Sequence, residues 1–116
     1  MINKIGFDDG IVLGLETDIS IGESQDLVQN NTISNMYDCG IEGVGLVKNN
    51  TISNNKIDNT GYCGIGAWYS SSWQGNIISD NTVNNSPSLL TFFFATRKYG
   101  AKPSKAYFTD NIFYLL

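Results

Sequence analysis

Histidine is missing from this sequence of 116 residues, and only two cysteines occur. The chain has no Cys-x-x-Cys pair, so the residues that usually build zinc sites are not present in a suitable pattern. We therefore expect no metal site and no bound cofactor. No apolar run of 18 residues is present either, which argues against a membrane-spanning helix and a membrane partner.

Basic residues are also scarce. Charged residues make up 16% of the chain, with seven Lys and Arg and a net charge of −4. They form no basic stripe with interleaved aromatic residues, which is the electrostatic footprint of a nucleic-acid-binding surface. We therefore expect no nucleic-acid partner.

Helical periodicity is the third absence, because no window holds apolar residues at positions i, i+3, i+4 and i+7. The chain instead repeats a short phrase in which Asn or Asp is followed by Asn, between apolar residues. The phrase recurs at offsets of 24, 26 and 30 residues, at Val28–Ile33, Ile52–Ile57, Ile78–Val83 and Phe108–Phe113. Offsets of this size are typical of solenoid repeats.

A second phrase ends in Gly-Ile and keeps a similar spacing, at Asp8–Ile11, Asp38–Ile41 and Tyr62–Ile65. The segments between the phrases are rich in Asn, Ser, Gly and Asp, which favour turns. Short strands between turns predict a coil in which each strand pairs in parallel with its counterpart in the next turn, about 4.8 Å away. Since one turn cannot bury its own apolar face, the stacking of turns creates the core.

The phrases Asn-Asn-Thr-Ile-Ser-Asn, Asn-Asn-Lys-Ile-Asp-Asn and Cys-Gly-Ile resemble the repeats of right-handed parallel β-helices, the fold of pectate-lyase-like proteins. The resemblance implies one all-β domain over residues 1–116, with about four rungs, a rung being one turn of the coil. We expect rungs near residues 8–33, 38–57, 62–83 and 89–113, with an irregular loop at 95–105.

The chain ends and length predict a piece of a longer β-helix. Four rungs would stack only about 20 Å high, and the apolar ends of a solenoid need caps. We expect flanking domains to cover these ends, with a homotrimer as the alternative. Proteins with similar repeats usually act outside the cell, so the expected location is extracellular or at the cell surface, although the sequence has no signal peptide.

The second Asn of the first phrase falls at one position in all four repeats. Aligned Asn side chains can form hydrogen bonds along a stack. We predict a structural ladder, with ligand contact as the alternative, that consists of Asn31, Asn55, Asn81 and Asn111. The residues just before them include Asp80 and Asp110, which we interpret as turn residues.

The two cysteines lie at equivalent positions in neighbouring repeats. If Ile41 and Ile65 point inward, strand alternation also places Cys39 and Cys63 inward. Their Cα atoms would lie about 4.8 Å apart, within the disulfide range. Parallel side chains would keep the Cβ atoms further apart than the ~3.8 Å that a disulfide prefers. We therefore predict two buried thiols that fill space, with a disulfide as the alternative.

Several catalytic patterns of the resembling families are missing. The resemblance to polygalacturonase-type hydrolases implies a Gly-His-Gly motif, which a chain without His cannot encode. The resemblance to pectate lyases implies an Arg or Lys base beside acidic residues that hold calcium. The sole Arg, Arg97, lies in the irregular loop and has no trio of Asp residues around it in the sequence.

One carboxylate pair remains as a catalytic candidate. Asp8 and Asp38 share an outward position on adjacent rungs, which places their carboxyl groups about 5 Å apart, close to the spacing in retaining glycosidases. Two like charges this close favour a proton on one of them, as an acid catalyst requires. In the alternative, both Asp residues only serve the turn before Gly-Ile.

Aromatic residues form the strongest functional pattern. They cluster around the loop Tyr69–Gly75, and outward positions nearby are occupied by Gly40, Gly64 and Gly66, which would leave a bare surface. Sugar rings stack on aromatic faces and form hydrogen bonds through their hydroxyl groups. We predict a carbohydrate-binding strip that consists of Asp38, Glu42, Tyr62, Trp68, Tyr69 and Trp73.

These patterns together predict a carbohydrate-handling β-helix with a poly- or oligosaccharide as its partner. We expect the polysaccharide-binding and scaffold portion of a lyase- or hydrolase-like protein and not a complete enzyme. If the chain is active, it would be a polysaccharide lyase or a glycoside hydrolase. The alternative is a purely structural solenoid of a tailspike, adhesin or other surface protein.

Overall fold

The computed structural model describes residues 2–3, 9–14, 25–94 and 106–114. These residues form only β-strands and turns. The strands are β1 (Ile2–Asn3), β2 (Ile11–Gly14), β3 (Leu27–Gln29), β4 (Thr32–Met36), β5 (Cys39–Leu46), β6 (Thr51–Ser53), β7 (Lys56–Thr60), β8 (Cys63–Ser72), β9 (Ile77–Ser79), β10 (Thr82–Asn84), β11 (Ser88–Phe94), β12 (Tyr107–Thr109) and β13 (Ile112–Tyr114). None of the described segments forms an apolar helix of membrane-spanning length.

The strands stack in three sheets. Sheet I contains β2, β5, β8 and β11; sheet II contains β3, β6, β9 and β12; and sheet III contains β1, β4, β7, β10 and β13. The ten pairings between the described strands are all parallel. Because consecutive strands of the chain lie in consecutive sheets, the chain winds as a coil, and the predicted parallel β-helix is confirmed.

Equivalent apolar residues of successive rungs form the core. Ile33, Ile57 and Val83 pair in sheet III, and all three are fully buried. Ile41 and Ile65 pair with each other in sheet I and are also fully buried. The repeat offsets thus set the strand register, because a shift by one residue would turn this apolar row to solvent. Strand β1 was not predicted, and its Ile2 pairs with Ile33 of β4.

The predicted asparagine ladder is confirmed. The Oδ1 atom of Asn55 accepts hydrogen bonds from the backbone N–H and the Nδ2 of Asn31, at 3.1 and 3.0 Å. The Nδ2 of Asn55 donates to Oδ1 of Asn81 at 2.9 Å and to the carbonyl oxygen of Val28 at 2.8 Å. Asn81 and Asn111 repeat the amide contact at 2.9 Å. Each bond satisfies a polar group at a corner of the coil.

A second buried ladder was missed. The backbone N–H of Asp26 donates to Oδ1 of Asn50 at 2.8 Å, and that of Asn50 donates to Oδ1 of Asn76 at 2.9 Å. Asn50 and Asn76 are 1% and 0% exposed. The sequence could have predicted this ladder, because Asp26, Asn50 and Asn76 keep the repeat offsets of 24 and 26 residues.

The prediction of two free thiols is wrong, because Cys39 and Cys63 form a disulfide with their Cα atoms 4.4 Å apart. Their predicted inward direction is also wrong. A Cβ atom added at the outward-facing Gly66 would lie 2.7 Å from Cys63 Sγ and 3.7 Å from Cys39 Sγ. The disulfide therefore lies on the outer side of sheet I, covered by neighbouring residues, with Cys39 only 1% exposed.

The glycines beside the cysteines explain the error. A Cβ atom at Gly40 would lie 2.5 Å from Cγ2 of Ile57, and one at Gly64 would lie 2.6 Å from Cγ1 of Val83. Both glycines thus face the core and do not belong to the bare outer surface. The prediction counts alternating inward and outward side chains back from Ile41 and Ile65. This count fails because Gly40 and Ile41 both point inward, as do Gly64 and Ile65.

Candidate functional site

An open groove of about 790 Å³ lies where the chain turns from sheet III into sheet I. The turns after β4 and β7 and the outward residues of β5 and β8 build it. Its lining residues are Asp9, Met36, Tyr37, Asp38, Glu42, Gly61, Tyr62 and Trp68.

The turns of two successive rungs stack on each other in the groove. The backbone N–H of Tyr62 donates to the carbonyl oxygen of Asp38 at 3.0 Å, and that of Gly61 donates to Met36 at 2.9 Å. Glycine is required at position 61, because a Cβ atom there would collide with the carbonyl oxygen of Tyr37. The close approach fixes the backbone that carries Tyr37 and Tyr62.

Three aromatic side chains of the groove are exposed. Tyr37, Tyr62 and Trp68 have exposed fractions of 60%, 47% and 37%. Exposed aromatic side chains that cluster around one groove form a patch of the kind that often marks a ligand-binding or protein-binding surface. Their rings offer flat apolar faces to a bound molecule.

Three carboxylates converge in the same groove. One oxygen atom each of Asp9, Asp38 and Glu42, together with Cys39 Sγ, lie within 4.8 Å of one another. Asp9 Oδ1 accepts a hydrogen bond from the backbone N–H of Cys39 at 2.8 Å, and Asp38 Oδ1 lies 3.6 Å from Cys39 Sγ. The disulfide therefore lies directly beneath the acidic group.

The side chains of this acidic group determine which ligands the groove can bind. Carboxylate oxygens are ligands that calcium accepts, whereas Cys39 sits in the disulfide and offers no thiolate. Exposed acidic groups are common without an ion, and we assign no metal here. The carboxylates can also accept hydrogen bonds from hydroxyl or amino groups of a ligand.

The groove brings four members of the predicted strip together, namely Asp38, Glu42, Tyr62 and Trp68. The placement of Trp73 in this strip is wrong, because its side chain is only 1% exposed. A Cβ atom at Gly43 would lie 2.5 Å from Cζ2 of Trp73, so the indole ring packs into the core over that glycine. Sequence proximity to Trp68 was misleading because Trp73 follows the end of β8.

Three predicted features, namely the side chain of Tyr69, Asp8 and the loop at 95–105, remain untested. Tyr69 lies in β8, but its side chain is outside the described part of the structure. Asp8, the predicted catalytic partner of Asp38, and the predicted loop at 95–105 lie outside the described residues.

The groove also contains Asp9 and Tyr37, which were missed. Tyr37 occupies the turn position that Gly61 occupies one rung later, so repeat alignment places it there.

Comparison with known proteins identifies the fold family. A family model described as a right-handed β-helix region matches residues 16–113. The chain therefore belongs to the right-handed β-helix family, which also establishes the predicted handedness. Searches of the curated proteins and of the solved structures find no match.

Proposed function

We propose that the groove binds an oligosaccharide segment of a polysaccharide and that the β-helix is the scaffold of this site. The observation that carries the proposal is the set of three exposed aromatic side chains, Tyr37, Tyr62 and Trp68, around convergent carboxylates. Sugar rings present apolar faces that stack on aromatic rings and hydroxyl groups that bind carboxylate oxygens.

The size and rigidity of the groove support this function. A volume of about 790 Å³ lies in the range of small-ligand sites. Backbone hydrogen bonds between rungs hold both turns, and the disulfide joins β5 to β8 beneath them. Binding to such a preformed site loses less conformational entropy than binding to flexible loops.

Binding is better supported than catalysis. Asp38 and Glu42 could take part in hydrolysis or lyase chemistry if the chain is active, but Asp8, the predicted catalytic partner of Asp38, lies outside the described residues. We therefore propose the binding and scaffold portion of a lyase- or hydrolase-like protein. The disulfide favours an extracellular or cell-surface location, since disulfides persist in oxidising compartments.

Calorimetric titration with a panel of neutral and charged oligosaccharides tests the proposal. Trp68→Ala should weaken binding about tenfold, because the variant loses a stacking face. Tyr107→Ala is the matched control, since Tyr107 is 56% exposed on sheet II and does not line the groove. Equal affinity of Trp68→Ala and wild type, or no binding by any panel member, would contradict the proposal.

A structural solenoid is the second candidate function. It is favoured by a row of side chains at one register on the outer face of sheet II. In this row Thr51 lies between Leu27 and Ile77, and Tyr107 follows Ile77. Leu27, Ile77 and Tyr107 are 69%, 44% and 56% exposed. Such rows often mark contacts with other polypeptides. Analytical ultracentrifugation tests this candidate: oligomers that dissociate in Leu27→Lys, without saccharide binding, would favour it.

A further inference from the structure

We infer that copies of this chain stack head to tail, so that the asparagine ladder of one copy continues into the next. The contact joins the Asn111 end of the coil, formed by β12 and β13, to the Asn31 end of a second copy, formed by β3 and β4. The inference goes beyond saccharide binding and does not depend on it.

The hydrogen bonds of the ladder have one direction. The backbone N–H and the Nδ2 of Asn31, Asn55 and Asn81 donate to Oδ1 of the asparagine in the following rung. Asn111 is the last member, and its Nδ2 donates to the carbonyl oxygen of Ile78 at 2.9 Å. Its backbone N–H and its second Nδ2 hydrogen have no partner among the described residues. The Asn111 end therefore offers donors to a further rung.

The Asn31 end offers the matching acceptor. Oδ1 of Asn55 accepts two hydrogen bonds from Asn31, whereas no described residue donates to Oδ1 of Asn31 itself. Asn31 and Asn111 are both half-buried, although Asn55 and Asn81 inside the ladder are 0% exposed. The two ends of the ladder are thus complementary to each other.

The inward apolar row of sheet II is incompletely covered at the Asn111 end. Phe108 of β12 continues the row of Val28, Ile52 and Ile78. These three side chains are 6%, 0% and 0% exposed, but Phe108 is 41% exposed. A solenoid rung buries its apolar side chains against the next rung. A further rung that stacks on β12 would cover Phe108 in the same way.

A second copy of this chain has the residues that such a rung requires. The offset from Val28 to Asn31 equals the offset from Phe108 to Asn111. When Asn31 of the second copy lies over Asn111, its Val28 therefore lies over Phe108. A contact that joins two different surfaces of identical chains produces an open filament unless the rotation closes a ring. Stacking along the axis of the coil does not close.

Strand β1 competes with this contact. Ile2 of β1 pairs with Ile33 of β4, and Phe113 of β13 pairs with Val83 at the equivalent position of β10. In the stack, β13 of one copy would take the edge of β4 that β1 occupies in a single copy. Because β1 has only two residues, few contacts hold it in place. Stacking therefore exchanges β1 for β13 of the neighbouring copy.

Cysteine cross-linking tests the contact and its register. The native disulfide joins Cys39 to Cys63 at paired positions of adjacent strands, so parallel rungs permit such a bridge. In the stack, Leu27 of one copy lies beside Tyr107 of the next, and both are exposed in a single copy. The chain has no free cysteine of its own. A mixture of Leu27→Cys and Tyr107→Cys should therefore form a disulfide-linked heterodimer in air, which mass spectrometry identifies.

Ile77→Cys is the matched control for Tyr107→Cys. Ile77 lies in the same outer row and is 44% exposed, but it is flanked by strands on both sides. Mixed with Leu27→Cys, it should form no heterodimer. Equal cross-linking of Leu27→Cys to both variants would mean that copies meet through the face of sheet II, and would overturn the inference. Absence of the heterodimer between Leu27→Cys and Tyr107→Cys overturns it as well.

Analytical ultracentrifugation tests the role of β1. The mean mass of the wild type should rise continuously with concentration, without a limit at the dimer. Ile2→Pro weakens the pairing of β1, because proline cannot donate a backbone hydrogen bond. This variant should associate at about tenfold lower concentration than the wild type. A monomer at every concentration in both proteins overturns the inference.

A proline at the other strand of the contact should have the opposite effect. The N–H groups of Lys56 and Ile112 donate to Asn31 and Asn81 of the preceding rung at 2.8 Å, so Thr32 would donate to Asn111 of the neighbouring copy. Thr32→Pro removes this donor and should weaken association about tenfold or more, whereas Thr32→Ala keeps it. Circular dichroism confirms that both variants are folded. Equal association of the two variants would overturn the inference.

Discussion

Neighbouring asparagines of the repeated phrase have different roles. Asn54 is exposed and has a φ of 55°, in the left-handed region that Asn and Gly adopt more readily than other residues. Asn30, Asp80 and Asp110 have φ angles of 60°, 57° and 55° at the equivalent position, which agrees with their interpretation as turn residues. Asn55 is fully buried, and its side chain bonds to the rungs on both sides.

Replacement of the ladder residue should therefore be costly. Asn55→Ala removes the acceptor of the backbone N–H and the Nδ2 of Asn31 and removes the Nδ2 donor to Asn81 and Val28, so we expect the free energy of unfolding to fall by roughly 1–3 kcal/mol. Urea denaturation measures this change. Asn54→Gly is the control and should cost less than about 0.5 kcal/mol, because glycine adopts positive φ without strain. Similar losses in the two variants would contradict the ladder.

The two tryptophans should differ in their effect on stability. Trp73→Ala removes a side chain that is 1% exposed, and we expect a loss of about 3–5 kcal/mol in the free energy of unfolding. Trp68→Ala changes a side chain that is 37% exposed, so its thermal midpoint should stay close to that of the wild type. Thermal and urea denaturation of both variants measure the difference. A large loss in Trp68→Ala would show that this ring belongs to the core.

At the scale of elements, the disulfide joins β5 to β8 of the next rung. It spans a sequence separation of 24 residues, for which the chain-entropy model gives about 3 kcal/mol. The double variant Cys39→Ala/Cys63→Ala should lose a stability of this order in urea denaturation. Mass spectrometry after alkylation without reduction should find no modified cysteine in the wild type. Two alkylated thiols in the unfolded, unreduced protein would show that the disulfide does not form.

Strand pairing could be predicted from the sequence because each pairing depends on a repeated row of residues. Ile33, Ile57 and Val83 keep their offsets from Asn31, Asn55 and Asn81, so one alignment places all of them. The directions of side chains at the corners of the coil were harder to predict. Strict alternation gave the wrong direction for Cys39 because Gly40 and Ile41 both face the core, and the phrase itself does not encode this break.

At the scale of the whole molecule, the coil brings separate turns into one groove. Asp9, Tyr37 and Tyr62 come from three different rungs, and the strand register makes them neighbours. Four residues of the predicted strip could be found because they lie on or beside the repeated Gly-Ile phrase. Trp73 could not be placed, since the direction of a side chain after the end of a strand depends on packing over Gly43.

The most direct test of saccharide binding uses the fact that the chain has two tryptophans, one in the groove and one in the core. In a ¹H–¹⁵N NMR spectrum each gives one indole N–H signal, and Trp68→Phe assigns them. Titration with the panel of neutral and charged oligosaccharides should, for at least one member, shift the Trp68 signal in a saturable way and leave the Trp73 signal in place. If both signals stay unchanged at saturating sugar, or if Trp73 alone shifts, the groove is not the binding site.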